Sequence, residues 1–207
     1  MSRRPRHFSM IRDFHLADFL TLANGACGTA AIFLAMDHVR VASVDKVYAA
    51  GLLVIAALAF DVLDGRIARW RHDASPLGRE LDSLADVISF GVAPACLAYA
   101  VGMTTPLDAL ALLYFVVCGI SRLARYNVTA ETLSAGIGTV RYFEGTPIPT
   151  STLLVVLLVL LAWRGRIGAR LPFGVVDLGA VGFHPVTLLF VISGSLMISK
   201  TLRIPKP

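Results

Sequence analysis

The chain has 207 residues, 56% of them hydrophobic and 16% charged, with a mean hydropathy of +0.71. That balance excludes an ordinary soluble domain of this size and indicates an integral membrane protein. The net charge of +5 is read as basic residues gathered on the cytoplasmic side, with no nucleic-acid partner implied.

The first fifteen residues, MSRRPRHFSMIRDFH, are basic. Phe8, Ile11 and Phe14 recur every third position among the charges, which suggests a short amphipathic helix lying in the headgroup layer over residues 1–15. No small-residue cleavage site follows the next apolar stretch, so that stretch reads as a retained span and not as a signal peptide. Apolar segments at about 16–36, 46–70, 77–102, 105–127, 148–163 and 184–200 predict an all-α integral membrane protein with six transmembrane helices, the fifth of them short. The sequence contains no internal repeat and no detachable soluble part, so residues 1–207 read as one membrane domain. Cys27, Cys96 and Cys118 fall inside the spans at wide spacing and read as structural thiols. His184, beside Pro185 at a helix start, reads as interfacial.

Six spans place both termini on one side. Fourteen of the nineteen Lys and Arg then fall on that face, which the positive-inside rule makes cytoplasmic. Arg164, Arg166 and Arg170 run against the rule, so residues 164–183 are not placed by it.

The second and third spans flank DVLDGRIARWRHDASPLGRELDSLAD, residues 61–86. The second helix should break near His72 to Ala74, with Ser75 as N-cap and Pro76 at the first position of the third. At about 1.5 Å per residue, Asp61 and Asp86 each lie roughly 15 Å from that turn, and Asp64 and Asp82 roughly 10 Å. At about 100° per residue, each pair keeps to one face of its helix. All four carboxylates can therefore meet in one cleft just below the membrane surface. Crowded like charges in low dielectric need compensation, and oxygen-only ligands without nearby Cys or His suit Mg²⁺, Mn²⁺ or Ca²⁺ better than zinc. Gly65, Ala68 and Gly78 clear side chains from the same faces, while Arg69 reaches toward an anion at the rim. Asp73 and Glu80 read as solvated charge. Pairing of a single aspartate with Arg66, Arg69, Arg71 or Arg79 is the bland alternative, and it does not account for four acids in register.

The pattern Asp61-x2-Asp64-Gly65-x2-Ala68-Arg69-x8-Gly78-x3-Asp82-x3-Asp86 resembles the signature of the CDP-alcohol phosphatidyltransferase family. The resemblance implies a six-helix membrane domain, usually a homodimer, whose active site opens to the cytoplasmic side. It implies that a CDP-linked lipid or alcohol is joined to an alcohol acceptor with release of CMP. It also implies that Asp61, Asp64 and Asp82 hold two Mg²⁺ or Mn²⁺ ions, that Asp86 binds one of them and acts as general base, and that Asp61, Gly65, Ala68, Arg69 and Gly78 line the CDP pocket.

Three further stretches, FLTLANGACG in the first span, ISRLARYNV at 120–128 and YFEGTPIPT at 142–150, are similar to the phosphatidylserine synthases of that family, with Thr146 where leucine is common. This implies CDP-diacylglycerol and L-serine as substrates. Arg122 and Arg125, three apart at the end of the fourth span, can lean toward one carboxylate or phosphate, or can anchor the helix end in the headgroups. Thr21 and Asn24 share a face and can bond toward the nucleotide or to a neighbouring helix, while Gly25 and Gly28 suit close helix packing. A different acceptor, glycerol 3-phosphate or an inositol phosphate, stays open, as does a cation transporter, since acids inside membrane spans often mark ion paths.

Overall fold

The computed structural model describes residues 16–71, 76–134, 142–179, 181–199, 201 and 203–205. The expected headgroup helix at 1–15 and the turn at His72 to Ser75 lie outside the described residues. The helices are α1 (Leu16–Val41), α2 (Val44–Arg71), α3 (Pro76–Asp86), α4 (Ala93–Ala100), α5 (Pro106–Ser134), α6 (Thr152–Trp163) and α7 (Leu188–Ile198). A π-helical segment, Val87–Val92, joins α3 to α4, and 3₁₀ turns at Ile148–Ser151 and Pro185–Thr187 lead into α6 and α7. A 3₁₀ turn at Gly168–Arg170 and two small antiparallel ladders complete the described elements: β1 (Tyr142–Glu144) with β4 (Arg203–Pro205), and β2 (Val176–Asp177) with β3 (Gly182–Phe183).

Four segments, Ala17–Val41, Val44–Ile67, Leu77–Ala100 and Pro106–Thr129, are long and apolar enough to cross a membrane. Each runs for about 36 Å at the helical rise, more than the hydrocarbon thickness of about 30 Å. Ile148–Trp163 and Pro185–Ile198 are apolar helices of under 18 residues, so length alone supports four spans where the sequence suggested six. The chain is a mostly helical, multi-pass membrane protein.

Helix α1 packs along α2 and against α3 and α4, α6 lies on α2 and α4, and α5 pairs with α7. The seam between α1 and α2 is made of small side chains: Ala31, Ala35, Val47, Ala50, Val54 and Ala57 are all buried. In lipid, apolar burial between helices gives no net drive, and small residues that let backbones approach supply the packing instead. Phe115 and Phe190 stack edge to face at 5.3 Å where α5 meets α7. Large apolar residues such as Phe33, Met36, Leu52, Leu110 and Leu113 point outward, as a hydrocarbon solvent requires. Trp70 and Trp163, near the ends of α2 and α6, are exposed at positions where tryptophans sit in the interface.

Helix α1 runs beyond the expected end near 36, because the polar tail Asp37, His38 and Arg40 stays helical past the apolar stretch. It closes at Ala42, which has φ 51° and donates its N–H to His38 O at 2.8 Å.

His184, expected to be interfacial, bonds to Asp108 at the start of the Pro106–Thr129 segment. It is buried, with its backbone N–H 2.9 Å from Asp108 Oδ1 and its Nδ1 2.6 Å from Asp108 Oδ2. Thr187 donates to the same carboxylate at 2.8 Å. Asp108 also closes a capping box at the start of α5: Thr105 N–H donates to Asp108 Oδ2 at 3.1 Å and Asp108 N–H to Thr105 Oγ1 at 3.2 Å, with Pro106 at the first helical position. Arg164, Arg166 and Arg170 are exposed in the connection after α6, where Gly168 N–H donates to Val101 O at 2.7 Å.

Candidate active site

The site is formed by side chains of α2 and α3, and α1, which packs on both helices, closes one side. Asp61 and Asp64 on α2 and Asp82 on α3 each present a carboxylate oxygen, and these oxygens lie within 4.8 Å of one another. A divalent ion binding oxygens at about 2.1 Å spans ligand pairs up to about 4.2 Å apart, so rotation of a side chain suffices for a shared ion.

Two observations bear on whether this group accepts a cation. Asp64 is buried and one of its oxygens, Oδ2, accepts a hydrogen bond from Thr21 Oγ1 at 2.7 Å. Asp82 Oδ1 is buried without any hydrogen-bond partner among the described residues. A buried carboxylate oxygen without a donor is costly unless something else compensates its charge. The donor set is oxygen only, which fits a hard divalent cation.

Asp86 does not join the three. It sits one helical turn deeper on α3, buried, and Asn24 Nδ2 donates to its Oδ1 at 3.2 Å. It remains within electrostatic range of Asp61, Asp82 and Asp64, so the two expected tiers become one cluster of three with a fourth carboxylate behind it. A fifth acid, Asp18, is buried on α1 and acts electrostatically on Asp64. The sequence reading missed it, although Asp18, Thr21 and Asn24 form a polar stripe at three-residue intervals on an apolar helix.

That stripe reaches the acids because α1 approaches α3 closely. A Cβ on Gly25 would lie 3.5 Å from Ala85 Cβ, and one on Gly28 would overlap Ser89. Gly28 therefore serves close helix packing, as its spacing suggested, whereas Gly25 has room for a Cβ in ordinary contact with Ala85. The π-helical segment begins directly after Asp86. Its Ser89 Oγ donates to Asn24 O at 2.9 Å, and Phe90 O accepts Ser151 Oγ at 2.6 Å. Asn24 on α1 and Ser151, in the 3₁₀ turn before α6, thus hold the stretch that follows Asp86.

Arg122 and Arg125, on α5, are both half-buried. Arg122 interacts electrostatically with Asp86, and its Nε is buried with no hydrogen-bond partner among the described residues. The same end of α5 is tied to α3 by Asn127, which donates to Ser83 Oγ at 3.0 Å and to both Glu80 oxygens at 3.3 Å. Ser83 Oγ donates to Asn127 Oδ1 at 3.2 Å. Glu80, expected to be plain solvated charge, is exposed but holds this link. Gly65 and Gly78 are half-buried near the cleft. The side chains of Ala68 and Arg69, and all of Asp73, lie outside what is described.

The stretch at 142–150 is structural where it is visible. Gly145, at φ +73°, lies against Met197 O, and Ile148 packs beside Gly91 and Gly119. Pro147 and Pro149 stiffen the entry to α6.

The family model for CDP-alcohol phosphatidyltransferase matches residues 14–193. The chain is 44% identical over 204 residues to a CDP-diacylglycerol--serine O-phosphatidyltransferase of Saccharomyces cerevisiae, covering 97% of this chain and 74% of that one. It is 35% identical over 175 residues to a protein of the same name from Mycobacterium leprae, covering 84% and 53%. It is 37% identical over 143 residues to an archaetidylserine synthase of Methanothermobacter thermautotrophicus, covering 68% and 55%. The chain thus spans about three quarters of the yeast relative and about half of the other two.

Proposed function

The chain belongs to the CDP-alcohol phosphatidyltransferase family, and from that premise we propose that it transfers the phosphatidyl group of CDP-diacylglycerol to the hydroxyl of L-serine, giving phosphatidylserine and CMP. The observation that carries this reading is the setting of Asp86. Both the three carboxylates and Arg122 act electrostatically on it: Asp82 has a buried oxygen unbonded among the described residues, suited to a metal-held diphosphate, and Arg122 an Nε unbonded among them, suited to a carboxylate.

In this reading Asp61, Asp64 and Asp82 hold two Mg²⁺ or Mn²⁺ ions, with Asp86 as a further ligand to one. When bound, the ions neutralise phosphoryl and departing CMP oxygens. Thr21 orients Asp64 through its hydrogen bond. Gly65, Ala68, Arg69 and Gly78, with Asp61, line the nucleotide pocket. The acyl chains of the donor stay in lipid beside the apolar outer faces, and serine enters from the cytoplasm. Arg122, with Arg125 beside it, takes the serine carboxylate. Asp86 accepts the hydroxyl proton as the serine oxygen attacks the phosphorus bearing the diacylglycerol. An ordinary aspartate, with pKa about 3.9, is a weak base for an alcohol, so the proton moves late in the attack.

The two shorter helices complete a six-helix membrane domain with its site toward the cytoplasm, in a homodimer at the cell membrane. Purified protein with CDP-diacylglycerol and Mn²⁺ should release CMP with L-serine. Release with glycerol 3-phosphate or an inositol phosphate but not with serine overturns the acceptor, and no release under any condition returns the site to an ion path.

A further inference from the structure

The geometry points to Asn24 as the residue that both orients Asp86 and receives the ammonium group of the acceptor, an inference that rests on the serine reading above. Asn24 is fully buried. Its backbone oxygen is held by Ser89 Oγ and its Nδ2 is held by Asp86 Oδ1. With Asp86 ionised, as its role as base requires, the amide keeps Nδ2 toward the carboxylate, because its oxygen would otherwise face a negative charge. Its Oδ1 is therefore fixed, and that atom is buried with no hydrogen-bond partner among the described residues. By covalent geometry it lies within about 5.5 Å of Asp86 Oδ1.

A fixed, buried carbonyl oxygen needs a donor. The depth of the site limits what that donor is. Gly78, on the nucleotide side of α3, is eight residues from Asp86, or about 12 Å along the helix, so the nucleotide belongs nearer the membrane surface than Asn24. The esters of the diacylglycerol offer only acceptors. The acceptor molecule brings two donors to Asp86: the hydroxyl, which the base takes, and the ammonium, which has no partner in the reading above. Asn24 Oδ1 supplies it. Serine is then held at three points from three helices: its carboxylate by Arg122 on α5, its hydroxyl by Asp86 on α3, and its ammonium by Asn24 on α1. Three distinct contacts around one carbon distinguish mirror images, and an acceptor lacking the ammonium leaves Asn24 Oδ1 unbonded.

The test compares kcat/KM for L-serine, D-serine and 3-hydroxypropionate, in which hydrogen replaces the ammonium, for the wild-type protein and for Asn24→Leu, which keeps the shape and removes both polar atoms. The wild type should prefer L-serine over each analogue by on the order of 10²-fold. Asn24→Leu should lower kcat/KM for L-serine and shrink both preferences to within about tenfold, with KM for CDP-diacylglycerol unchanged. Equal losses on all three acceptors reduce Asn24 to a structural part and overturn the inference. A raised KM for CDP-diacylglycerol with the preferences intact makes it a nucleotide contact, and a changed Mn²⁺ requirement with the preferences intact makes it a partner of metal-bound water; either overturns the inference too. Should Asn24→Leu fail to fold, the wild-type preferences decide: no discrimination against 3-hydroxypropionate overturns it. A wild type that releases CMP with none of these acceptors refutes the serine reading itself, a separate result.

Discussion

Asp82 shows how a single residue trades stability for chemistry. One of its oxygens is buried without a hydrogen-bond partner among the described residues, and Asp61 and Asp64 are close by. Without a cation the three carboxylates repel, so Asp82→Asn should make the metal-free protein more stable, by on the order of 1 kcal/mol. The same change should remove the stabilisation that Mn²⁺ gives the wild type, about 2.7 kcal/mol when the ion stands at 100 times its Kd. Thermal unfolding in detergent, with and without Mn²⁺, reads both effects. A wild type indifferent to Mn²⁺ would remove the metal from the site. Asp86 should separate binding from turnover: Asp86→Asn keeps the carbonyl that Asn24 bonds and loses the proton acceptor. Turnover should fall by at least about 10³-fold while binding of the CDP-lipid largely survives. Loss of both together would place Asp86 with the binding ligands alone.

At the scale of elements, the site depends on how closely α1 lies on α3. Gly28 has no room for a Cβ beside Ser89 in the π-helical segment that continues α3, and α1 cannot part from that segment without breaking the Ser89–Asn24 bond. Gly28→Val should therefore cost about 1–3 kcal/mol from overpacking and lower activity by more than the folded fraction explains, because Asn24 is carried away from Asp86. Activity per folded molecule, measured beside an unfolding curve, checks this; activity that tracks the folded fraction alone would disconnect the seam from the base. Much of this level is legible in the sequence. Apolar runs placed the helices, and fixed intervals brought Asp61, Asp64 and Asp82 together, since both depend only on the helical rise and turn. The π-helical segment was not legible, because nothing in VISFGV distinguishes it from ordinary helix and the residues it bonds, Ser151 and Asn24, lie far along the chain. Asp18 was overlooked for a related reason: a lone acid near a helix start reads as a cap or dipole partner until α1 is known to lie on the acid cluster. The partner of His184 was not legible because Asp108 is remote in sequence and looked like a first-turn residue with a local task.

Across the whole molecule, polar groups concentrate at opposite ends. Arg122, near the acids, stands past the middle of α5, and Asp108 stands in its first turn, fourteen residues away or about 21 Å along the helix. Asp108 accepts from Thr105, from the backbone and ring of His184 and from Thr187. It thereby fixes the start of α7 against the start of α5, a joint that the Phe115 and Phe190 pair continues inward. Removing this carboxylate leaves several buried donors unsatisfied at once, so Asp108→Ala should cost about 3–5 kcal/mol. His184→Ala should cost less, because the backbone N–H, Thr105 and Thr187 still bond to Asp108. Neither change should alter KM for serine or for CDP-diacylglycerol in the protein that remains folded, because the joint lies beyond the reach of either substrate. Unfolding in detergent together with KM measured on the folded fraction tests the ordering and the separation. A serine KM that rises in Asp108→Ala would mean that α5 carries the disturbance along its length to Arg122, making the two ends of the bundle one mechanical unit.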